Sequence, residues 1–120
     1  MTREQTFSYN GATVVVRESL GIDRIDRQLV FQKLTYNRDD ERDINRAIRF
    51  ADFLMRAVTV EGDLSYPWAS LSSDAAAIQA AYEAWVQWPT SLMDVWMAAL
   101  YEVNETPGDA ATQPDIDPNG

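Results

Sequence analysis

Carboxylates are the only abundant side chains in this chain that could do acid–base or metal chemistry. There are nineteen Asp and Glu residues but no histidine and no cysteine. The commonest general base and transition-metal ligand is therefore missing, and so is any thiolate nucleophile or zinc ligand. The one acidic cluster is Asp39-Asp40-Glu41 with Asp43. Oxygen ligands at that density suit a hard cation such as calcium or magnesium. The run lacks the glycine and spaced acids of a calcium loop, however, and stands directly before an amphipathic segment. Acidic residues there stabilise the positive end of a helix dipole, so we read the cluster as a helix start. The expectation is no metal, no cofactor and no catalytic residue. A hydrolase working through Asp and Glu alone stays as a minor alternative, requiring several carboxylates to converge in one concave site.

Arg17-Glu18 could anchor a partner carboxylate, or its members could be structural; exposed ion pairs contribute little, which favours the structural reading. Asn104-Glu105-Thr106 matches a glycosylation acceptor, but the start Met1-Thr2-Arg3-Glu4-Gln5 lacks the charged-then-apolar pattern of a secretory signal.

The aromatic residues carry more information. Trp68, Trp85, Trp88 and Trp96 lie close together in sequence, beside Tyr66, Tyr82, Tyr101, Met93 and Met97. Trp85 and Trp96 have the helical phase of core residues. A domain this small cannot easily bury the whole set, and aromatics with methionine are enriched at binding surfaces. Trp88, Met93 and Met97 are thus expected on an exposed groove or patch.

The elements that position these residues follow from pattern. Thr6–Tyr9 and Thr13–Arg17 flank Asn10-Gly11, a strong hairpin signal because both turn residues tolerate the positive φ of a type I′ turn. A first helix is expected from Asp23, with Ile22, Ile25 and Leu29 on its inner face and Phe31 and Leu34 near the edge. A second begins at Asp39 or Asp40 and buries Ile44, Ala47, Ile48, Ala51, Leu54, Met55 and Val58, with Arg42, Asn45, Arg46, Arg49, Asp52 and Arg56 on the far side. Glu61-Gly62-Asp63 ends it. A third, capped by Ser72 or Ser73, buries Ile78, Ala81, Tyr82 and Trp85 before Pro89 stops it. Thr90 or Ser91 caps a fourth, with Leu92, Trp96, Ala99, Leu100 and Val103 inward; the short connection favours its antiparallel pairing with the third. The expected class is α+β, predominantly helical: a hairpin and about four helices over residues 1–103, then a disordered acidic tail over 104–120.

With 120 residues, 46% of them hydrophobic, the chain is long enough for one domain with a real core. All ten basic residues stand at or before Arg56 beside nine acids, leaving that part at +1; the other ten acids and no base leave residues 57–120 at −10. That half repels nucleic acid. The arginines of the first half are interleaved with Asp and Glu, which reads as solvated helix faces rather than a phosphate-binding stripe. No stretch reaches the apolar length of a membrane span. Partners are therefore expected to be proteins.

The hairpin Phe7–Glu18, the amphipathic middle and the sequence Tyr82-x-x-Trp85-x-x-Trp88-Pro89-x-x-Leu92-x-x-x-Trp96 together resemble the tail assembly chaperones of long-tailed bacteriophages. The resemblance spans about residues 5–105 and rests on architecture and diffuse motifs. It implies a non-enzymatic factor in the cytoplasm of the infected cell, absent from the mature virion, that coats the tape measure protein and brings tail tube protein to it. Trp88, Met93, Trp96 and Met97 are the client-facing residues on this reading, with Phe50 and Phe53 as a second patch. A frameshifted longer form and self-association stay open. The alternative is another phage interaction protein, either a head–tail connector or an acidic inhibitor of a host protein.

Overall fold

The computed structural model describes residues 2–104. Strands β1 (Glu4–Tyr9) and β2 (Ala12–Arg17) are followed by helices α1 (Asp23–Lys33) and α2 (Glu41–Arg56), strand β3 (Ala57–Glu61), and helices α3 (Ala75–Trp85) and α4 (Thr90–Asn104). The class is α+β with helices dominant, as the pattern predicts. The expected disordered tail falls on residues 105–120, outside those described.

Asn10 and Gly11 both have positive φ, 48° and 86°, the conformation that a two-residue turn matched to strand twist requires. The register places Phe7 opposite Val14 and Tyr9 opposite Ala12. Ala12, Val14 and Val16 are wholly buried, so one face of the hairpin lies on the core.

A third strand joins it where the sequence pattern predicts a continuing helix. The second helix does not continue through Val58; it stops at Arg56, and Ala57–Glu61 pairs antiparallel with β2 to give the order β1-β2-β3. Val58, Thr59 and Val60 are β-branched, a run that loses side-chain freedom in a helix and suits a pleated surface. A register shift between Val15 and Val16 absorbs the direct passage from helix to strand, as β-bulges do. Val58 is accordingly exposed rather than core. Gly62 then ends a strand, not a helix. Its φ is +88°, and a Cβ there would stand 3.1 Å from the Ala12 Cα.

Helix α2 is the centre of the molecule. The Asp40 carboxylate accepts from the Arg42 N–H at 2.9 Å, capping the first turn. Ala47, Phe50, Ala51, Phe53, Leu54 and Met55 are all buried, and both α1 and α3 pack against it. Phe50 and Phe53 broaden its apolar surface, as their positions predict, but they spend that surface inside the fold.

Helix α1 is turned the other way from the expected orientation. Val30 and Leu34 are buried, whereas Ile22, Ile25 and Leu29 are 52%, 66% and 46% exposed. The cause is Asp23, whose carboxylate is gripped by both guanidinium nitrogens of Arg17 (3.0 and 2.8 Å) and by the Leu20 N–H (2.9 Å). That grip draws Asp23 inward with Val30, one side of the helix, and rotates the isoleucine row to solvent.

Helix α3 is capped by Asp74, which accepts from the Ala77 N–H at 2.8 Å, rather than by Ser72 or Ser73. Those serines bond to Ser70 instead. The expected antiparallel pairing of α3 with α4 does not occur either: α3 packs on α1 and α2, and α4 packs on β1 and β2. The Phe7 and Trp96 rings meet edge-on at 5.4 Å, and the Tyr9 and Ser91 hydroxyls lie 3.0 Å apart. Asn104 belongs to α4 rather than to the tail; its side-chain oxygen accepts from the Ser19 N–H at 2.9 Å. Among the described residues no helix is long and apolar enough to cross a membrane.

Candidate partner-binding groove

The tryptophans converge at the junction of α2, the 63–74 connector and the α3–α4 corner. Trp68 lies 5.5 Å from Trp88 and 4.9 Å from Trp96. Phe53 contacts Trp85, Trp88 and Trp96 at 5.4, 6.2 and 5.9 Å, and Phe50 meets Trp68, Tyr82 and Trp85 edge-on. Offset and edge-to-face rings at such separations pack favourably.

This arrangement corrects most of the expected exposed surface. Trp96 and Phe50 are wholly buried, and Phe53 and Trp88 nearly so. A small domain buries all these rings because they stack on one another rather than each demanding a separate aliphatic pocket. Trp85 and Trp96 are core, as their phase predicts. Of the client-facing set only Met93 and Met97 reach the surface, where they are half-buried.

Those two methionines stand at the edge of a groove. Helices α2 and α4 do not pack closely on each other; the aromatic cluster holds them apart. Three adjoining depressions follow the gap. One is lined by Glu41, Arg42, Arg46, Arg49 and Trp85, a second by Arg46, Trp85, Trp88, Met93 and Asp94, and a third by Arg49, Asp52, Phe53, Arg56, Met97 and Tyr101. Shared residues make them continuous. One wall is the arginine row of α2 at 42, 46 and 49, spaced i, i+4, i+7. The other is Met93, Met97 and Tyr101 on α4, spaced i, i+4, i+8, with Tyr101 63% exposed. Such spacings put each row along one helix face. Phe53, Trp85 and Trp88 form the floor.

The groove is held in shape by buried polar contacts. Arg56, assigned to the solvated side by its pattern, is only 4% exposed. Its Nε donates to the Arg17 carbonyl at 3.0 Å, and one terminal nitrogen donates to the Leu100 carbonyl (3.0 Å) and the Asn104 side chain (3.2 Å). The other pairs with Asp52 at 3.3 Å. A cation beside the last carbonyls of α4 also complements that end of the helix dipole. On the other side of the cluster the Tyr82 hydroxyl donates to Asp43 at 2.6 Å.

The remaining carboxylates that touch the fold are committed to structural bonds. Glu18 pairs with Arg3 at 2.7 Å rather than with Arg17, so Arg17 and Glu18 both serve the fold. Burial pushes the Asp23 carboxyl up, but the hydrogen bonds from Arg17 and the Leu20 N–H outweigh it and hold the group below its usual value. The Arg17 guanidinium is raised in turn, chiefly by that bond. Asp43 is lowered by its hydrogen bonds from Tyr82 and the Asn37 N–H, and Tyr82 is raised by burial and then by Asp43. Among the described residues no group of three or more carboxylates is placed to hold a metal ion.

Comparison with protein-family models, curated proteins and solved structures finds no match to any of them.

Proposed function

We propose that this chain is a non-catalytic binding protein that receives an amphipathic helix of another protein in the α2–α4 groove. In biological terms it acts as a phage tail assembly chaperone, keeping the tape measure protein soluble in the infected cell and helping to bring tail tube subunits to it. The observation that carries the reading is the row of half-buried Met93 and Met97 with exposed Tyr101 beside an aromatic floor. Adaptable methionine side chains beside aromatic rings suit a partner whose apolar stripe varies along its length. The sequence pattern of hairpin, amphipathic middle and Trp-cornered helix pair supports the phage assignment, and the formal charge of −9 would keep a complex with an aggregation-prone client in solution.

The test is capture of partners by tagged protein from phage-infected cells, with a Met97→Asp, Tyr101→Asp variant alongside. Recovery of a very long helical protein by the parent and not by the variant, with this chain missing from finished particles, is the expected result. Recovery of a polymerase, nuclease or capsid protein in its place would overturn the chaperone assignment and favour an acidic inhibitor or a head–tail connector.

A further inference from the structure

Five arginines of α1 and α2 stand beside carboxylates, several of which are bonded elsewhere. Asp23 is spent on Arg17 and Asp52 on Arg56. Asp40 caps α2, and Asp43 accepts from Tyr82 and the Asn37 N–H. Asp43 still acts on Arg46 through space, and Glu41 lines the same depression as Arg42, Arg46 and Arg49. Arg42, Arg46 and Arg49 make no ion pair with any described residue, and neither do Arg24 and Arg27. The last two line a further depression on the α1 side of α2, which meets the groove at Arg49. A chain of net charge −9 thus presents a row of three arginines without ion-pair partners along one wall of its groove, which Glu41, Asp52 and Asp94 also line.

From this charge asymmetry we infer that the groove selects a helix that is acidic along the edge facing α2 and apolar along the edge facing α4. The inference rests on reading the groove as the partner site and adds the partner's chemistry. A docked helix lying along α2 meets a guanidinium at each of Arg42, Arg46 and Arg49, so carboxylates recurring at i, i+4 and i+7 or i+8 on the partner match the row turn for turn. Arginine is suited to this task because its planar fork pairs with carboxylate in two directions. Leucine or similar side chains one face away reach Met93, Met97 and Tyr101. A nucleic acid satisfies only one wall: a phosphate backbone finds no base on α4, where Asp94 lines the groove opposite Arg46, and residues past Arg56 carry none at all. Attraction between the basic wall and an acidic helix also speeds encounter and fades as salt is added.

The experiment is selection from a displayed library of 20-residue amphipathic helices with randomised charged positions, using the full chain as bait and the Met97→Asp, Tyr101→Asp variant for counter-selection. The enriched helices are then measured in solution against the parent and against Arg42→Gln, Arg46→Gln, Arg49→Gln combined, with thermal unfolding of both proteins compared to check that the exposed substitutions leave the fold intact. The expected result is Asp or Glu along one edge of the enriched helices, affinity that weakens with salt, and about tenfold loss on the triple Gln protein, from three exposed pairs each of modest strength. Combined substitution of the same three arginines by Glu should restore binding to helices whose acidic edge is replaced by Lys. Enriched helices with neutral or basic edges, unaffected by the Gln substitutions, would overturn the acidic-partner inference and leave the groove reading standing. Tighter binding of a 20-base-pair DNA duplex than of any enriched helix would overturn the inference in favour of nucleic acid. Helices that bind the parent and the Met97→Asp, Tyr101→Asp variant equally would overturn the groove itself.

Discussion

Trp88 is buried and its indole N–H, like those of Trp85 and Trp96, meets no hydrogen-bond acceptor. Its contribution is therefore ring packing and not polarity, which two substitutions separate. Trp88→Ser removes the ring from contact with Phe53, Trp68 and Trp96 and should cost about 3–5 kcal/mol, enough to threaten folding in a domain this size. Trp88→Phe keeps most of the packing and discards an unsatisfied donor, so urea denaturation should show a loss of no more than about 1.5 kcal/mol. Tyr82 is the opposite case, since its hydroxyl is bonded to Asp43. Tyr82→Phe should cost about 1 kcal/mol. The raised Tyr82 ionisation fixes a sign as well: stability from the neutral hydroxyl is complete below the ordinary tyrosine range and declines above it, because the unfolded chain ionises first. A parent–Tyr82→Phe difference that does not shrink above about pH 10 would contradict this. Asp23 acts at the acidic end. Its lowered value means the unfolded chain takes up the proton first, so its stabilisation is present above the ordinary carboxyl range and lost as pH falls through the folded value. Asp23→Asn should flatten the acid limb of the stability curve.

At the scale of elements, what the sequence reveals is what local chemistry decides. Asn10-Gly11 needs no tertiary information to make a turn, and the periods of α2, α3 and α4 identify their buried faces. Two elements were hidden because a distant partner decides them. Ala57–Glu61 follows a helix with no breaker before it, and only the open edge of β2 makes those β-branched residues a strand. The orientation of α1 is set by Arg17 from another element, which overrides an Ile22, Ile25, Leu29 row that by spacing alone is a core face. The same applies to the groove. Its methionines are legible as surface candidates, whereas Trp88, Trp96, Phe50 and Phe53 lie inside, because nothing in one sequence says that rings from three helices will bury each other. The exposed row of α1 gives a simple check: Ile25→Asp should leave the unfolding midpoint within about 0.5 kcal/mol of the parent in stability, as surface changes do. A core-sized loss would restore the original orientation. Gly62→Ala, by contrast, should cost about 1–2 kcal/mol through its positive φ and the close approach to Ala12.

For the whole molecule, the decisive side chain is one the pattern assigns to solvent. The fold has two layers, α1 and α3 against α2 on one side and the sheet under α4 on the other, and Arg56 stands where they meet. From the last residue of α2 it donates to the end of β2 and to the final turn of α4. The groove lies between α2 and α4, so the bond that joins these helices at one end also sets its width there. Arg56→Ala removes a donor from each of the Leu100 and Arg17 carbonyls and the cation from the α4 C-terminus, which should cost about 3 kcal/mol. The loss should be local before it is global. Hydrogen exchange should accelerate first in the last turn of α4 and in the Arg17–Ser19 backbone, with amides of α2 and α3 following only at global unfolding. Arg56→Lys should restore little of this, because one ammonium cannot reach three acceptors in the directions that the guanidinium spans. Uniform acceleration across all four helices would instead show that the two layers have no separate stability, and that the groove is as rigid as the core beneath it.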